Sequence, residues 1–505
     1  MTAMILPVNP KSCKYPVLLL LLVLLCHAHG PALLAQGTRP VYAGSNFMVV
    51  PEGMAPDEIA ELAGDVTPTA RQLAWQRCEF NAFLHFGLNT FTNREWGDGK
   101  GDPALFNPSR LDARQWAHAI RDAGMKMAII TAKHHDGFCL WPTEYTGYSV
   151  KSSPWKGGQG DVVGELAEAC REYGLKFGFY LSPWDRHEPS YGDSAAYNRF
   201  FMNQLRELLT CYGEISEVWF DGACGEGPNG KKQVYDWPAW YALIRELQPG
   251  AVIAVMGPDV RWVGTETGVA RETEWSVIPD IVDPGGSGPD LSQPFPADRY
   301  FIPRDRMDAD LGSHGKLAGA RSLSWYPAEA DVSIRPGWFW HKEENRRVKS
   351  PETLADLWFK SVGRNAVLLL NIPPDRRGLI AKPDLRSLQG MRRILDRAFR
   401  DNRLENSSSR VSSDTLEYTL AQPAAFNVAM LREDIKAGQR IEAFMLEAWD
   451  GRQWTPFASG TTVGNRRLLR FPAVNAGKIR LIVAGSRGQW SLMDAGLYLD
   501  PSADK

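Results

Sequence analysis

Between about residues 75 and 375 the chain repeats one pattern: a short apolar run of β-type residues, then an amphipathic stretch with helical spacing. Strands that alternate with helices in this way pair in parallel through crossover connections, which restricts the fold to an α/β barrel or an open α/β sheet. The runs predict strands at 80–86, 126–131, 175–181, 217–220, 251–255, 322–325 and 366–370. Helices are expected at 112–123, 161–173, 195–212, 237–247 and 351–362. Asp161 offers an N-cap, Ser350-Pro351 a helix start, and Gly124, Gly174 and Gly213 stand just past helix ends. The set is one strand short of a closed barrel, and the missing member is expected to be either degenerate or hidden between 275 and 320, within a Pro/Gly-rich segment that otherwise reads as a long loop. A doubly wound sheet is the alternative, but no glycine-rich phosphate turn follows the first strand. The expected fold is therefore a (β/α)8-like barrel over 75–383, irregular in one member.

The flanks differ in texture. Residues 1–36 carry Lys11 and Lys14 ahead of an apolar run that is too short to span a bilayer and is followed by small residues. This predicts a secretory signal, a secreted or periplasmic destination, and no membrane span in the mature chain. Residues 37–74 form a lead-in. From 384 to 505 a linker helix, a Ser-rich break at 406–413 and short alternating runs predict a β-sandwich. A net charge of −2 provides no broad field for nucleic acid or anionic lipid, whereas 18 Trp suit stacking on the apolar faces of sugar rings. Outside the signal the cysteines are Cys78, Cys139, Cys170, Cys211 and Cys224, with no C-x-x-C pair, so neither a disulfide framework nor a zinc site is expected.

In a barrel of this kind the site lies at the carboxyl ends of the strands, so polar residues just after each apolar run converge there. They are dense here: His85; Lys133, His134, His135 and Asp136; Tyr180, Ser182 and Trp184; and Asp221, directly after the run 217–220. Asp221-Gly222 alone could be a solvated turn, but a carboxylate leaving a barrel strand is aimed at the pocket, where a glycosidase needs a nucleophile. The histidine pair admits a metal reading. Neighbouring histidines on an extended segment point to opposite sides, however, which favours one imidazole on a polar ligand and the other held structurally.

Together the stretches HFGLNTFTNREWGDG (85–99), AKHHDGFCLWP (132–142), GFYLSPWD (178–185), VWFDGA (218–223), WYPAEADVSIRPGWFW (325–340) and LLNIPPDRRG (369–378) resemble the α-L-fucosidases of glycoside hydrolase family 29. The resemblance implies a retaining hydrolase that releases terminal α-L-fucose from a fucosylated oligosaccharide or glycoconjugate, with no cofactor and no metal. Asp221 matches the family nucleophile. His85, His134 and His135 match positions that hold fucose hydroxyls, Glu95, Trp96 and Tyr180 other members of the sugar shell, and Trp338 the wall under the fucose methyl group. The run WVGTETG (262–268) resembles the W-V-G-N-E-x-G motif of members acting on branched α-1,3/1,4 linkages, which implies Glu266 as acid/base. Thr265 replaces the usual asparagine, and Glu329, Glu272 and Glu274 are rivals for the role. Arg261 is a further candidate for substrate contact. The C-terminal module is similar to the discoidin-like sandwiches attached to such barrels. A carbohydrate-binding protein on a decayed barrel is the alternative function.

Overall fold

The computed structural model describes residues 46–279 and 308–501. The expected leader lies outside these residues, as does most of the segment in which the missing strand is expected.

Eight parallel strands form one sheet, numbered here β1 (Phe80–Leu84), β2 (Met127–Lys133), β3 (Lys176–Leu181), β4 (Glu217–Phe220), β5 (Val252–Val255), β6 (Arg261–Trp262), β7 (Ala328–Ser333) and β8 (Val367–Asn371). Their order is β5-β4-β3-β2-β1-β8-β7-β6, and a parallel bridge between Ala254 and Val260 brings β6 back to β5, nearly closing the barrel. The helices lie where the amphipathic spacing placed them, at Ala113–Asp122, Val162–Tyr173, Ser194–Cys211, Trp237–Leu247 and Pro351–Ser361. Aspartate caps serve four of them: Asp112, Asp161, Asp193 and Asp236 each accept from a first-turn amide.

One strand assignment needs correction. The run 322–325 is a strand outside the barrel: it pairs antiparallel with Phe47–Val49 and with Val277–Pro279 in a separate sheet of three. The barrel strand is the next segment, β7, and the missing member is a degenerate one, the two-residue β6, which lies upstream of 275–320. The physical reason is that β7 carries Glu329, Asp331 and Ser333 on its inner face, so it has no apolar run, while residues 256–260 alone connect β5 to β6, too few for a crossover helix.

The barrel's lower interior is filled by Phe83, Met127, Ile129, Val252, Val367 and Leu369, with Trp75 from the lead-in helix Ala70–Gln76 as a plug. The plug is pinned by Trp75 Nε1 donating to Glu217 Oε2 at 2.7 Å. After the helix Lys382–Ala398, the C-terminal module folds around its own apolar cluster, which includes Phe426, Phe444, Ile479 and Leu481. Its long strands Thr415–Glu433 and Arg467–Ser486 pair antiparallel through register shifts that bend them around that core. The module joins the barrel by main-chain bonds, Asn365 N to Arg466 O (3.0 Å) and Leu468 N to Gly363 O (2.9 Å).

Candidate active site

Alternation along β4 puts Glu217, Trp219 and the following Asp221 on the barrel's inner face, one above another. Trp219 Nε1 donates downward to Glu329 Oε2 at 2.8 Å, and its ring stacks on Tyr180, with centroids 5.3 Å apart and planes at 24°. Tyr180, from β3, donates its hydroxyl to Asp221 Oδ2 at 3.0 Å. The other oxygen, Oδ1, accepts the Ala223 amide at 2.7 Å. Asp221 is therefore fixed at both oxygens yet keeps its carboxylate a quarter exposed, at 25%.

Three imidazoles gather around Tyr180, and one of them, His135, approaches Asp221. His85 follows β1, and its Nδ1 lies 3.0 Å from Asn371 Oδ1 at the end of β8. Asn371 Nδ2 donates to Ser333 Oγ and to the Trp338 carbonyl, so its oxygen faces His85, Nδ1 carries the hydrogen, and Nε2 is left as an acceptor. His135 Nδ1 lies 2.7 Å from Ser182 Oγ, whose proton goes to the Trp184 carbonyl. Its Nδ1 is thus also the donor, and its Nε2 stands 3.6 Å from Asp221 Oδ2. His134 stacks on Tyr180 at 5.6 Å and 14°, and its buried Nδ1 has no hydrogen-bond partner among the described residues.

Burial holds all three rings below the ordinary imidazole range: His85 falls to about 3, and His134 and His135 shift in the same direction, the latter against the pull of Asp221. Neutral imidazoles suit hydroxyl groups rather than anions.

The expectation that His134 and His135 diverge is corrected. β2 ends at Lys133, after a register shift against β3, and the chain turns, with Gly137 N donating to the His134 carbonyl at 2.9 Å. Gly137 takes φ +83° in this turn. In a turn the alternation of an extended strand no longer holds, and the two rings lie 4.2 Å apart, both among the site's aromatic rings. Among the described residues no group of three or more His, Cys, Asp or Glu is disposed to hold a metal ion.

Trp96 is 54% exposed and sets its ring edge-on to His135 (5.3 Å) and Trp184 (5.6 Å), forming part of the rim. Trp338 lies over His85 at 5.0 Å. Glu95 acts on the backbone that carries Trp338: its carboxylate accepts Trp338 N (2.7 Å), Phe339 N (3.2 Å) and His341 Nε2 (2.6 Å). Nothing in the motif patterns distinguished this clamp from direct sugar binding.

The carboxylates proposed as acid/base separate clearly. Glu266 is exposed, on the loop after β6, and accepts Trp338 Nε1 at 3.3 Å. Glu329 is fully buried beneath Trp219; burial and the charge of Glu217 push it well above the usual carboxylate range. Glu274 is buried in ion pairs with Arg261 and Arg271, and Glu272 pairs with Arg364 and Arg467. Arg261 is likewise turned out of the barrel, donating to the Tyr326 and Trp275 carbonyls. Asn371 and Asp331 were not singled out in the sequence, although Asn371 ends an apolar strand as His85 and Asp221 do.

The comparisons with known proteins agree with this geometry. The α-L-fucosidase family model matches residues 85–268. Alpha-L-fucosidase 1 of Arabidopsis thaliana is 42% identical over 472 residues, covering 86% of this chain and 87% of that protein. A crystal structure of a glycoside hydrolase 29 family member from an unknown rumen bacterium is 44% identical with TM-score 0.77, covering 86% of this chain and 77% of the other. A Ruminococcus gnavus family 29 fucosidase, solved in complex with fucose, is 31% identical with TM-score 0.73, covering 86% and 95%. The chain belongs to glycoside hydrolase family 29 and is an α-L-fucosidase, a hydrolase that releases fucose.

Proposed function

We propose that the enzyme retains anomeric configuration by double displacement, with Asp221 as nucleophile and Glu266 as acid/base. The observation that carries this reading is the setting of Asp221: directly after an inward-facing barrel strand, fixed at both oxygens, a quarter exposed, and beside His135 in a cluster of neutral imidazoles. A carboxylate so held attacks the anomeric carbon while the acid protonates the departing glycosidic oxygen; water then resolves the glycosyl-enzyme with the same residue acting as base. Exposure and the single Trp338 bond leave Glu266 free to follow the leaving group, whereas Glu329 is enclosed by Trp219 and Glu217.

Under this assignment His85 Nε2 and the rings of His134 and His135 take fucose hydroxyls, Tyr180 orients the nucleophile, Trp338 backs the sugar methyl group, and Trp96 lines the aglycone side. Glu95 serves the sugar shell by fixing Trp338. The fucose held by the Ruminococcus gnavus relative supports this reading of the pocket. The likeness of 262–268 to the branched-linkage motif supports α-1,3/1,4-fucosides of the Lewis type as substrates, and the leader supports export to periplasm or medium. Proton NMR of the first-formed product tests the mechanism: initial α-L-fucose is expected, and initial β-L-fucose would overturn it. A panel of α-1,2-, 1,3-, 1,4- and 1,6-linked fucosides tests the linkage, with the 1,3 and 1,4 compounds expected to turn over fastest.

A further inference from the structure

The loop that carries Glu266 is built on β7, and the contact that joins them is made by a residue with no assigned role. β6 is only two residues long, so its own ladder cannot orient the loop beyond it. Three contacts to β7 do so instead. Val263 N donates to the Glu329 carbonyl at 2.8 Å. Gly268, at φ +71°, lies so close to Val332 that an added Cβ would fall 2.6 Å from Val332 Cγ1. Trp262 Nε1 donates to Asp331 Oδ1 at 2.7 Å.

The first two contacts fix the loop's ends, and the third anchors its base from inside the barrel. Between the positive-φ glycines Gly264 and Gly268 the ties among the described residues are a Thr265–Thr267 hydroxyl contact of 2.8 Å and the 3.3 Å bond from Trp338 Nε1 to the Glu266 carboxylate, so the backbone turn that carries Glu266 takes its direction from the seating of Trp262, while Trp338 meets the side chain alone. Asp331 is 4% exposed, on the inner face between Glu329 and Ser333, and Glu266 and Glu329 are the charged groups that act on it most strongly.

We infer that Asp331 is a positioning residue for acid catalysis: through Trp262 it sets the turn that presents Glu266 to the glycosidic oxygen. Asp331 touches neither substrate nor reacting atoms, and its effect passes through the indole. The inference rests on Glu266 being the acid/base. Three carboxyl groups in succession, Glu329, Asp331 and Glu266, favour an Asp331 carboxyl in its neutral form, and burial together with Glu266 and Glu329 pushes it in that direction. The acceptor that Trp262 needs is then a carbonyl-type oxygen, which an amide supplies equally well.

The test compares kcat/KM on two substrates, an aryl α-L-fucoside whose phenolate leaves without protonation and a fucosyl disaccharide whose alkoxide does not. Misplacing the acid by about 1 Å costs on the order of 10²-fold where protonation is needed. Asp331→Ala and Trp262→Phe are expected to lose on that order on the disaccharide and to stay within about threefold of wild type on the aryl fucoside. Asp331→Asn, which keeps the acceptor, is expected to stay near wild type on both. Equal losses on the two substrates, no loss on either, or an Asn variant as impaired as the Ala variant would overturn the proposal. Glu266→Ala is measured alongside: if it lacks the same split between substrates, the assignment of Glu266 fails, whereas a split at Glu266 without one at Asp331 removes only the positioning role. Trp262→Phe, which leaves the β7 carboxyl in place, keeps the test valid if Asp331→Ala does not fold.

Discussion

Tyr180 donates its hydroxyl to Asp221 Oδ2 at 3.0 Å, from a ring stacked between Trp219 and His134. Because both faces of the ring are covered, the hydroxyl cannot swing away, and the proton it offers is held in place before substrate arrives. Burial and the Asp221 charge hold this phenol well above its ordinary range, so it donates throughout the working pH.

Tyr180→Phe removes that bond, together with the longer 3.5 Å contact of the hydroxyl with His135 Nδ1, and keeps the stack. A hydrogen bond to a charged group is worth roughly 1.5–3 kcal/mol, so kcat is expected to fall about 10- to 150-fold with thermal stability nearly unchanged. Steady-state kinetics with a melting curve checks both halves. An unaltered kcat would mean that the bond plays no part in orienting Asp221.

Glu95 receives two amides and an imidazole from the segment that presents Trp338. Glu95→Ala leaves those donors to water and loosens the indole over His85. The expected result is a rise in KM of about tenfold or more for every fucoside, whatever its linkage, because fucose itself loses its wall. A linkage-dependent change in the substrate panel would instead place Glu95 beside the aglycone.

The paired acids below the site predict an unusual pH dependence. Burial holds Glu217 up to about 8 and Glu329 in the same direction, so between pH 4.5 and 8 the folded state keeps protons that the unfolded chain has lost. Stability from these groups is complete below the unfolded carboxyl value and declines as pH rises through the folded one, by about 1.4 kcal/mol per pH unit per proton held. The buried histidines act oppositely up to about pH 7.5, because an unfolded imidazole is already half charged at about pH 6.5. The difference between wild type and Glu217→Gln removes their contribution: in denaturant melts between pH 6.5 and 8 wild-type stability should fall with pH relative to that of Glu217→Gln. Parallel slopes would show that the pair holds no extra proton in that window.

What could be read from the sequence tracked the visibility of apolar runs. β4 and Asp221 were legible because 218–220 is an uninterrupted apolar run that stops at a carboxylate, and β1 with His85 and β3 with Tyr180 were legible from mainly apolar runs that end in the same way. β7 was not, since it places Glu329, Asp331 and Ser333 inward, where the hydrogen bonds of Trp219, Trp262 and Asn371 compensate for the burial of polar groups. Such compensation is long-range and leaves no local trace, so 322–325, with Leu323 and Trp325 in strand alternation, reads as the barrel strand in place of its neighbour. β6 is too short for any periodicity. The convergence of His134 and His135 escaped because it depends on where β2 ends, and strand ends are set by turns that the alternation pattern does not encode.

The reading of Asp221 as the attacking carboxylate stands or falls on where a trapped sugar is found. Incubation with 2-deoxy-2-fluoro-α-L-fucosyl fluoride slows release of a glycosyl-enzyme, and peptide mass spectrometry then locates the ester. The expected result is one added 2-fluorofucosyl group on the peptide containing Asp221, absent in Asp221→Ala. A label on any other carboxylate, or time-dependent inactivation that persists in Asp221→Ala, would contradict the account.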